Sequence, residues 1–179
     1  IGVAGLNWNV KLMSLKFLEA TLFGDLGDTG DAIKACGYAA EMRRLWETTG
    51  HTKGANVRVI NASFGNDRFT QSFLDAIEEL NTREILFVAA AGNFRDGSQE
   101  LNNDSVPQFP SSYDVPNIIG VAATDQNDQI PIFSHFGATS VHLGAPGVSI
   151  LSTTPPCVRV NVACAPEFPD PLTPAQDTY

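Results

Sequence analysis

The strongest indication of the fold is the stretch Ile85-Leu86-Phe87-Val88-Ala89-Ala90-Ala91-Gly92-Asn93. Its first six residues are all apolar, which is typical of a parallel strand buried on both faces. The small residues at its end allow another backbone to come close. Ligands bind beyond the carboxyl ends of strands in an open parallel sheet, so Asn93 would lie beside a ligand. Gly92-Asn93 is also typical of a simple turn that ends a strand, and locally this is the commoner interpretation.

Strands and helices alternate on either side of this run. Apolar segments predict further strands over 10–18, 57–62, 118–122, 133–134, 141–143 and 148–151. Apolar spacing and capping residues predict two helices, one over about 31–48 after Asp28 or Thr29 and one from Thr70 to about Arg83. Loops are expected over 19–30 and 94–116. The order strand, helix, strand, helix, strand predicts an α/β fold with a parallel sheet and right-handed crossovers.

Composition excludes several classes of protein. The chain has 179 residues, 11 basic and 20 acidic, and a net charge of −9. An acidic chain without a basic patch argues against binding to nucleic acid or to anionic membranes. The sequence has no apolar run near the ~20 residues of a membrane span. Three cysteines are too few for a disulfide scaffold, and their spacing fits no zinc site.

The composition changes at Pro155. From there to Tyr179 there are six prolines and no glycine. Neither helical nor strand periodicity is visible. We therefore expect one domain over residues 1–154 and an irregular Pro-rich tail over 155–179.

Eight segments occur in the order and spacing of one protein family. They are Val3–Val10, Val59–Gly65, Val88–Asn93, Phe109–Tyr113, Val121–Asp125, Phe133-Ser134, Gly144–Gly147 and Ile150–Thr153. Together they resemble the middle of the catalytic domain of a subtilisin-like serine protease (subtilase, peptidase S8 family). The resemblance implies a three-layer α/β sandwich with a mostly parallel central sheet, truncated at both ends. It also implies a serine endopeptidase, a hydrolase active in proteolysis, secreted from the cell.

The resemblance assigns roles to particular residues. Asn93 matches the oxyanion-hole asparagine, whose amide stabilises the tetrahedral intermediate. Ser63, Phe64 and Gly65 match one wall of the pocket for the substrate residue before the scissile bond. The facing wall is matched by Ala90, Ala91 and Gly92. The expected partner is a polypeptide substrate in extended conformation, which pairs by β-augmentation with the loop that holds Gly24 and Gly27. An apolar-lined pocket is expected.

The catalytic triad does not match. The segments that hold the family's Asp and His would lie before Ile1. The nucleophile normally follows the Ile150–Thr153 segment, but no serine occurs after Ser152 and no glycine after Gly147. Asp28-Thr29-Gly30 has the letters of a catalytic Asp motif, yet its context predicts a helix cap. We therefore expect this chain alone to be inactive.

The sequence also bears on two other function classes. A non-catalytic peptide-binding pseudoprotease or interaction protein would keep the groove and lose the chemistry. A nucleotide-binding module is disfavoured, because no strand is followed by a Gly-x-Gly-x-x-Gly turn.

No cofactor and no metal are expected. His142 stands where relatives have an Asp that helps to hold a cation, and histidine is a poor ligand for calcium. Asn103-Asp104-Ser105 matches a glycosylation sequon on a predicted loop, so modification of Asn103 stays open at this point.

Overall fold

The computed structural model describes residues 5–21, 24–93 and 101–151. It contains six strands, β1 (Leu18–Thr21), β2 (Gly24–Gly27), β3 (Val59–Ala62), β4 (Leu86–Ala90), β5 (Ile118–Thr124) and β6 (Leu143–Pro146), and two helices, α1 (Thr29–Thr48) and α2 (Gln71–Thr82). Residues 10–150 form one compact unit, to which the described residues 5–9 and 151 do not belong. Among residues 5–9, the Trp8 indole N–H donates to the Gly5 carbonyl at 3.1 Å. The predicted tail over 155–179 lies outside the described residues.

Both helices begin at the predicted caps. The Asp28 carboxylate accepts a hydrogen bond from the Gly30 N–H at 2.7 Å and so satisfies one of the free donors of the first turn of α1. The interpretation of Asp28-Thr29-Gly30 as a helix cap is thereby confirmed. Thr70 occupies the N-cap position of α2 with its backbone extended. No helix in the described part of the chain has the length and apolarity that a membrane crossing requires.

The main sheet has four parallel strands in the order β3-β4-β5-β6. Ile60, Phe87 and Ile118 are register partners across its first three strands. The parallel α/β architecture predicted from the order of elements is confirmed. Because the strands are parallel, their carboxyl ends all lie at one edge of the sheet, where the functional residues were expected.

One core cluster joins the two helices to the sheet. Its largest fully buried side chains include Phe87 on β4 and Ile77 and Leu80 on α2. Residues on the other face of the sheet are more accessible, since Leu86 is 42% and Val59 54% exposed. The expectation that β4 is buried on both faces is therefore wrong for the described residues. Because α1 and α2 share this core cluster, they form one helical layer, and the third layer of the sandwich stays a prediction.

Several predicted element boundaries are also wrong. Residues 10–17 are not a strand, and the expected loop after them is instead the antiparallel hairpin of β1 and β2, with Leu18 opposite Gly27. Ser134 forms only an isolated bridge, and no strand covers 148–151. The strand predicted over 141–143 is instead β6, which begins at Leu143 and continues to Pro146. Short segments of this kind carry little periodicity, so tertiary pairing decides their conformation.

Candidate functional site

A cavity of about 490 Å³ opens at the carboxyl ends of β3 and β4. All seven predicted site residues line it, namely Ser63, Phe64, Gly65, Ala90, Ala91, Gly92 and Asn93. Since β3 and β4 are neighbouring parallel strands, the segments that follow them leave the sheet side by side and form facing walls. Gly24 and Gly27 are not among the residues that line this cavity.

The first wall is fixed by the backbone of a distant segment. The Asn66 N–H donates to the Phe109 carbonyl at 2.9 Å, and the Phe109 N–H donates to the Asn66 carbonyl at 2.8 Å. A Cβ on Gly65 would lie 2.9 Å from the Phe109 carbonyl oxygen, closer than real Cβ atoms come to such an atom. Glycine is required at position 65 because another backbone lies against it.

Three polar side chains complete the lining of the cavity, and the sequence analysis did not assign them. They belong to Asn66, Asp67 and Gln108. An apolar-lined pocket was expected, but the lining of the cavity is partly polar. Asn66 and Asp67 directly follow the predicted wall, so their position could have been foreseen. Gln108 is brought to the cavity from a remote segment by the Asn66–Phe109 pairing, which no local pattern signals.

Asn93 lies beyond the end of β4 and is exposed at the cavity. Gly92 has φ +126°, a conformation that L side chains rarely adopt. Asn93 itself forms an isolated antiparallel bridge with Ser134. The chain therefore turns at Gly92 and presents an accessible amide at the edge of the sheet, where a ligand can reach it.

Behind the cavity lies a buried polar network centred on Asn103 and His135, each 1% exposed. The Asn103 Nδ2 donates to the Ala91 carbonyl at 2.8 Å, and Asn103 Oδ1 lies 2.9 Å from His135 Nδ1. Because Oδ1 can only accept, His135 Nδ1 must be the donor, which fixes its proton on that nitrogen. The His135 backbone N–H donates to the Gly92 carbonyl at 3.0 Å.

The burial of Asn103 bears on whether its sequon can be glycosylated. Its amide nitrogen is committed to the Ala91 carbonyl inside the protein and is inaccessible to a glycosylating enzyme in the folded chain. The open interpretation of Asn103 as a glycosylation site is therefore wrong for the folded state. A buried amide with both of its polar atoms hydrogen-bonded has a structural role instead.

The neighbouring Asp104 joins two loops. Its carboxylate accepts hydrogen bonds from the hydroxyls of Ser140 and Thr139 and from the backbone N–H groups of Ala138, Thr139 and Ser140. The Ser140 and Thr139 hydroxyls, followed by the backbone donors, hold the pKa of Asp104 well below its usual range. The segments around 104 and 138–140 are thereby held together.

The stability of the fold should depend on pH through His135. Burial lowers the pKa of His135 below its ordinary value, so the folded state favours the neutral ring. The unfolded chain then binds the proton first, and stability should fall as the pH drops below about 6.5, levelling off once the pH lies below the folded-state pKa.

Urea denaturation at several pH values between about 7.5 and 5 tests this expectation. The variant His135→Asn keeps a donor at the same position and does not titrate, so its unfolding free energy should change less across that range. Parallel pH profiles for the two proteins would contradict the expectation.

The residues at His142 do not fit a calcium ion. His142 Nδ1 accepts a hydrogen bond from the Gly120 N–H at 2.9 Å, so that lone pair is already in use. The His142 backbone N–H also donates to the Gly120 carbonyl at 2.9 Å. Within the described residues, no group of three or more His, Cys, Asp or Glu side chains could hold a metal. The absence of a metal in the whole protein stays a prediction.

Comparison with known proteins gives consistent matches. Residues 1–165 match the model of the subtilase family, Peptidase_S8. Subtilisin-like protease 2 of Plasmodium falciparum is 31% identical over 159 residues, 87% of this chain and 10% of the relative. The thermophilic serine proteinase of Bacillus sp. (strain AK1) is 34% identical over 152 residues, 85% of this chain and 31% of the relative.

Two further matches are similar in extent. The alkaline protease of Alkalihalobacillus alcalophilus is 29% identical over 155 residues, 87% of this chain and 34% of the relative. The solved structure of the prenylagaramide maturation protease PagA aligns with a TM-score of 0.47 at 21% identity, over 69% of this chain and 39% of that one. The chain thus spans between a tenth and about a third of the length of these three curated relatives.

Proposed function

The chain belongs to the subtilase family, and from this premise we propose that it forms part of the catalytic domain of a serine endopeptidase. One observation carries the proposal. The seven residues that the resemblance assigns to substrate binding and to the oxyanion hole line a single cavity at the carboxyl ends of β3 and β4. The substrates would be polypeptides, and the reaction would be hydrolysis of internal peptide bonds.

Asn93 supplies the oxyanion donor in this proposal. A substrate side chain enters the cavity between the walls 63–65 and 90–92, which brings the carbonyl of the same substrate residue beside Asn93. As a serine attacks that carbonyl, its oxygen becomes negative and moves toward the Asn93 amide. A histidine base takes the proton from the serine and later gives it to the leaving amine. The serine, the histidine and their supporting aspartate would come from outside the segments that match the family here.

The peptide would bind in an extended conformation. β2 offers a strand for it, since Gly24–Gly27 is extended and paired with β1. Backbone hydrogen bonds to a sheet edge would give affinity, and the cavity would select the side chain. Polar lining by Asp67 and Gln108 supports preference for a side chain with hydrogen-bond donors. From the family resemblance we also propose that the protein acts outside the cell and needs no cofactor.

We expect the isolated polypeptide to show no protease turnover. The sequence has no serine after Ser152, where the family's nucleophile motif would follow. Incubation with a fluorophosphonate probe should leave every serine unlabelled, and casein should remain intact. The Bacillus relative serves as the positive control. Stoichiometric labelling of one serine together with casein cleavage would refute this expectation.

A peptide-binding protein without catalysis is the second candidate. The observation in its favour is that the cavity is formed although the chain has no nucleophile motif. Isothermal titration with a library of short peptides tests it, with and without the substitution Ser63→Trp, which adds a bulky ring at an exposed residue of the cavity wall. Binding that the substitution abolishes supports a binding role for this polypeptide. Equal heats for both proteins would exclude that role for the cavity.

A further inference from the structure

We propose that Asn103 and His135 are positioning residues that fix the backbone before Asn93 and so aim its amide at the oxyanion. This inference rests on the proposed function, in which Asn93 is the donor. The inference goes beyond the proposed function because neither Asn103 nor His135 is among the residues that line the cavity. Both act through the two peptide groups that precede Asn93.

The first contact is the one that Asn103 makes with Ala91. The Asn103 amide donates to the Ala91 carbonyl at 2.8 Å, in a site where both residues are 1% exposed. A buried hydrogen bond is costly to break, because water cannot replace the lost partner. On its other side, the Ala91 N–H donates to the Val121 carbonyl of β5 at 2.8 Å. The peptide groups on both sides of Ala91 are thus held, one by the sheet and one by a loop 12 residues away.

The second contact is the one that His135 makes with Gly92. The His135 backbone N–H donates to the Gly92 carbonyl, and the His135 ring lies against Gly92. A Cβ on Gly92 would be only 3.0 Å from two carbons of that ring. The ring therefore packs where only glycine fits, at the residue whose φ of +126° sets the direction of Asn93.

The two positioning residues support each other. His135 Nδ1 donates to Asn103 Oδ1, and this bond orients the amide so that its nitrogen faces Ala91. The Asn103 backbone N–H also donates to the Phe136 carbonyl at 2.7 Å, and the Phe136 N–H to the Leu101 carbonyl at 3.0 Å. The Asp104 carboxylate ties the same two segments together at 138–140. Several hydrogen bonds therefore join the segments around Asn103 and His135 to each other and to the backbone before Asn93. Such support is what a preorganised hydrogen-bond donor requires.

A spectroscopic test uses the polypeptide as it exists. The ¹⁵N relaxation of the Asn93 backbone amide should give an order parameter of about 0.85, as for a rigid backbone. The substitution His135→Phe keeps a ring and removes the Nδ1 donor, and the order parameter should fall toward about 0.6. His135→Asn places Nδ2 where Nδ1 was and should restore the value. His51→Phe makes the same exchange at an exposed histidine and should change nothing.

An unchanged Asn93 order parameter in folded His135→Phe would overturn the proposal, as would failure of His135→Asn to restore it. If His135→Phe does not fold, Asn103→Ser answers the same question, because serine is too short to reach the Ala91 carbonyl. An unchanged Asn93 order parameter in folded Asn103→Ser would overturn the proposal, whereas a lowered value would support it.

A kinetic test separates this inference from the proposed function. In a complete subtilase that carries residues 1–154 in place of its own matched segment, His135→Phe should lower kcat by about 10-fold to 100-fold with little change in KM. If His135 acts through Asn93, adding His135→Phe to Asn93→Leu should lower kcat by less than about two-fold more. If the double substitution lowers kcat by the product of the two single factors, the positioning role is overturned. A normal kcat for Asn93→Leu alone would instead overturn the proposed function, and the relaxation test would still judge the positioning unit.

Discussion

Asn93→Leu should lower kcat by about 10²–10³ in a complete subtilase that carries residues 1–154, a magnitude known from the oxyanion donor of this family and not from this chain. Leucine keeps a similar volume and removes the amide donor. KM should change little, because the hydrogen bond forms mainly as the oxygen becomes negative in the transition state. Steady-state kinetics on a short peptide substrate give both constants.

The control for Asn93→Leu is Asn81→Leu. Asn81 is an exposed residue near the end of α2, at the edge of the sheet opposite the cavity. The substitution Asn81→Leu should leave kcat unchanged, which would show that replacing an exposed asparagine by leucine does not by itself impair catalysis. A melting curve for each variant separates loss of chemistry from loss of fold. An unchanged kcat in folded Asn93→Leu, with a lowered melting temperature, would show that Asn93 is only the turn residue that ends β4.

The second large effect is expected for Phe87→Ala. The Phe87 side chain is fully buried and meets Phe73 of α2 edge-on, with ring centroids 6.1 Å apart. Truncation should lower the free energy of unfolding by about 3–5 kcal/mol, because the transfer energy is lost and a cavity is left. This is a large part of the total stability of an average domain. Urea denaturation followed by circular dichroism measures the change.

Leu86→Ala is the matched control for Phe87→Ala, since Leu86 is the adjacent residue on the opposite face of β4. Its side chain is 42% exposed, and its truncation should cost about 1 kcal/mol or less. Equal losses for the two substitutions would mean that β4 is buried on both faces. That outcome would support the three-layer sandwich, with a second cover on the sheet, within this polypeptide.

Short-range patterns were sufficient to predict several elements of the fold. The apolar run that ends at Ala90 predicted β4, and the apolar spacing after Thr70 predicted α2. Asp28 predicted the start of α1, because capping is a contact between neighbours in the chain. The alternation of strands and helices predicted the parallel sheet.

A ligand site beyond β4 was expected because parallel strands end at one edge of the sheet. The facing walls formed after β3 and β4 were implied by the family resemblance, and the structure brings these residues to one cavity. Roles within the cavity came from the order and spacing of family motifs, each of which is weak alone. Family membership was predicted on those motifs and is confirmed by the match over residues 1–165.

The tertiary structure alone decided the rest. The hairpin of β1 and β2, the polar lining by Gln108 and the one-sided burial of β4 depend on segments that meet only after folding. His135 and Asn103 are 32 residues apart in the chain and share one hydrogen bond. No local pattern marks His135, and the sequon at Asn103 indicates a different role. Periodicity and turn chemistry describe neighbours along the chain, whereas burial and hydrogen-bond partners are properties of distant segments brought together by the packed core.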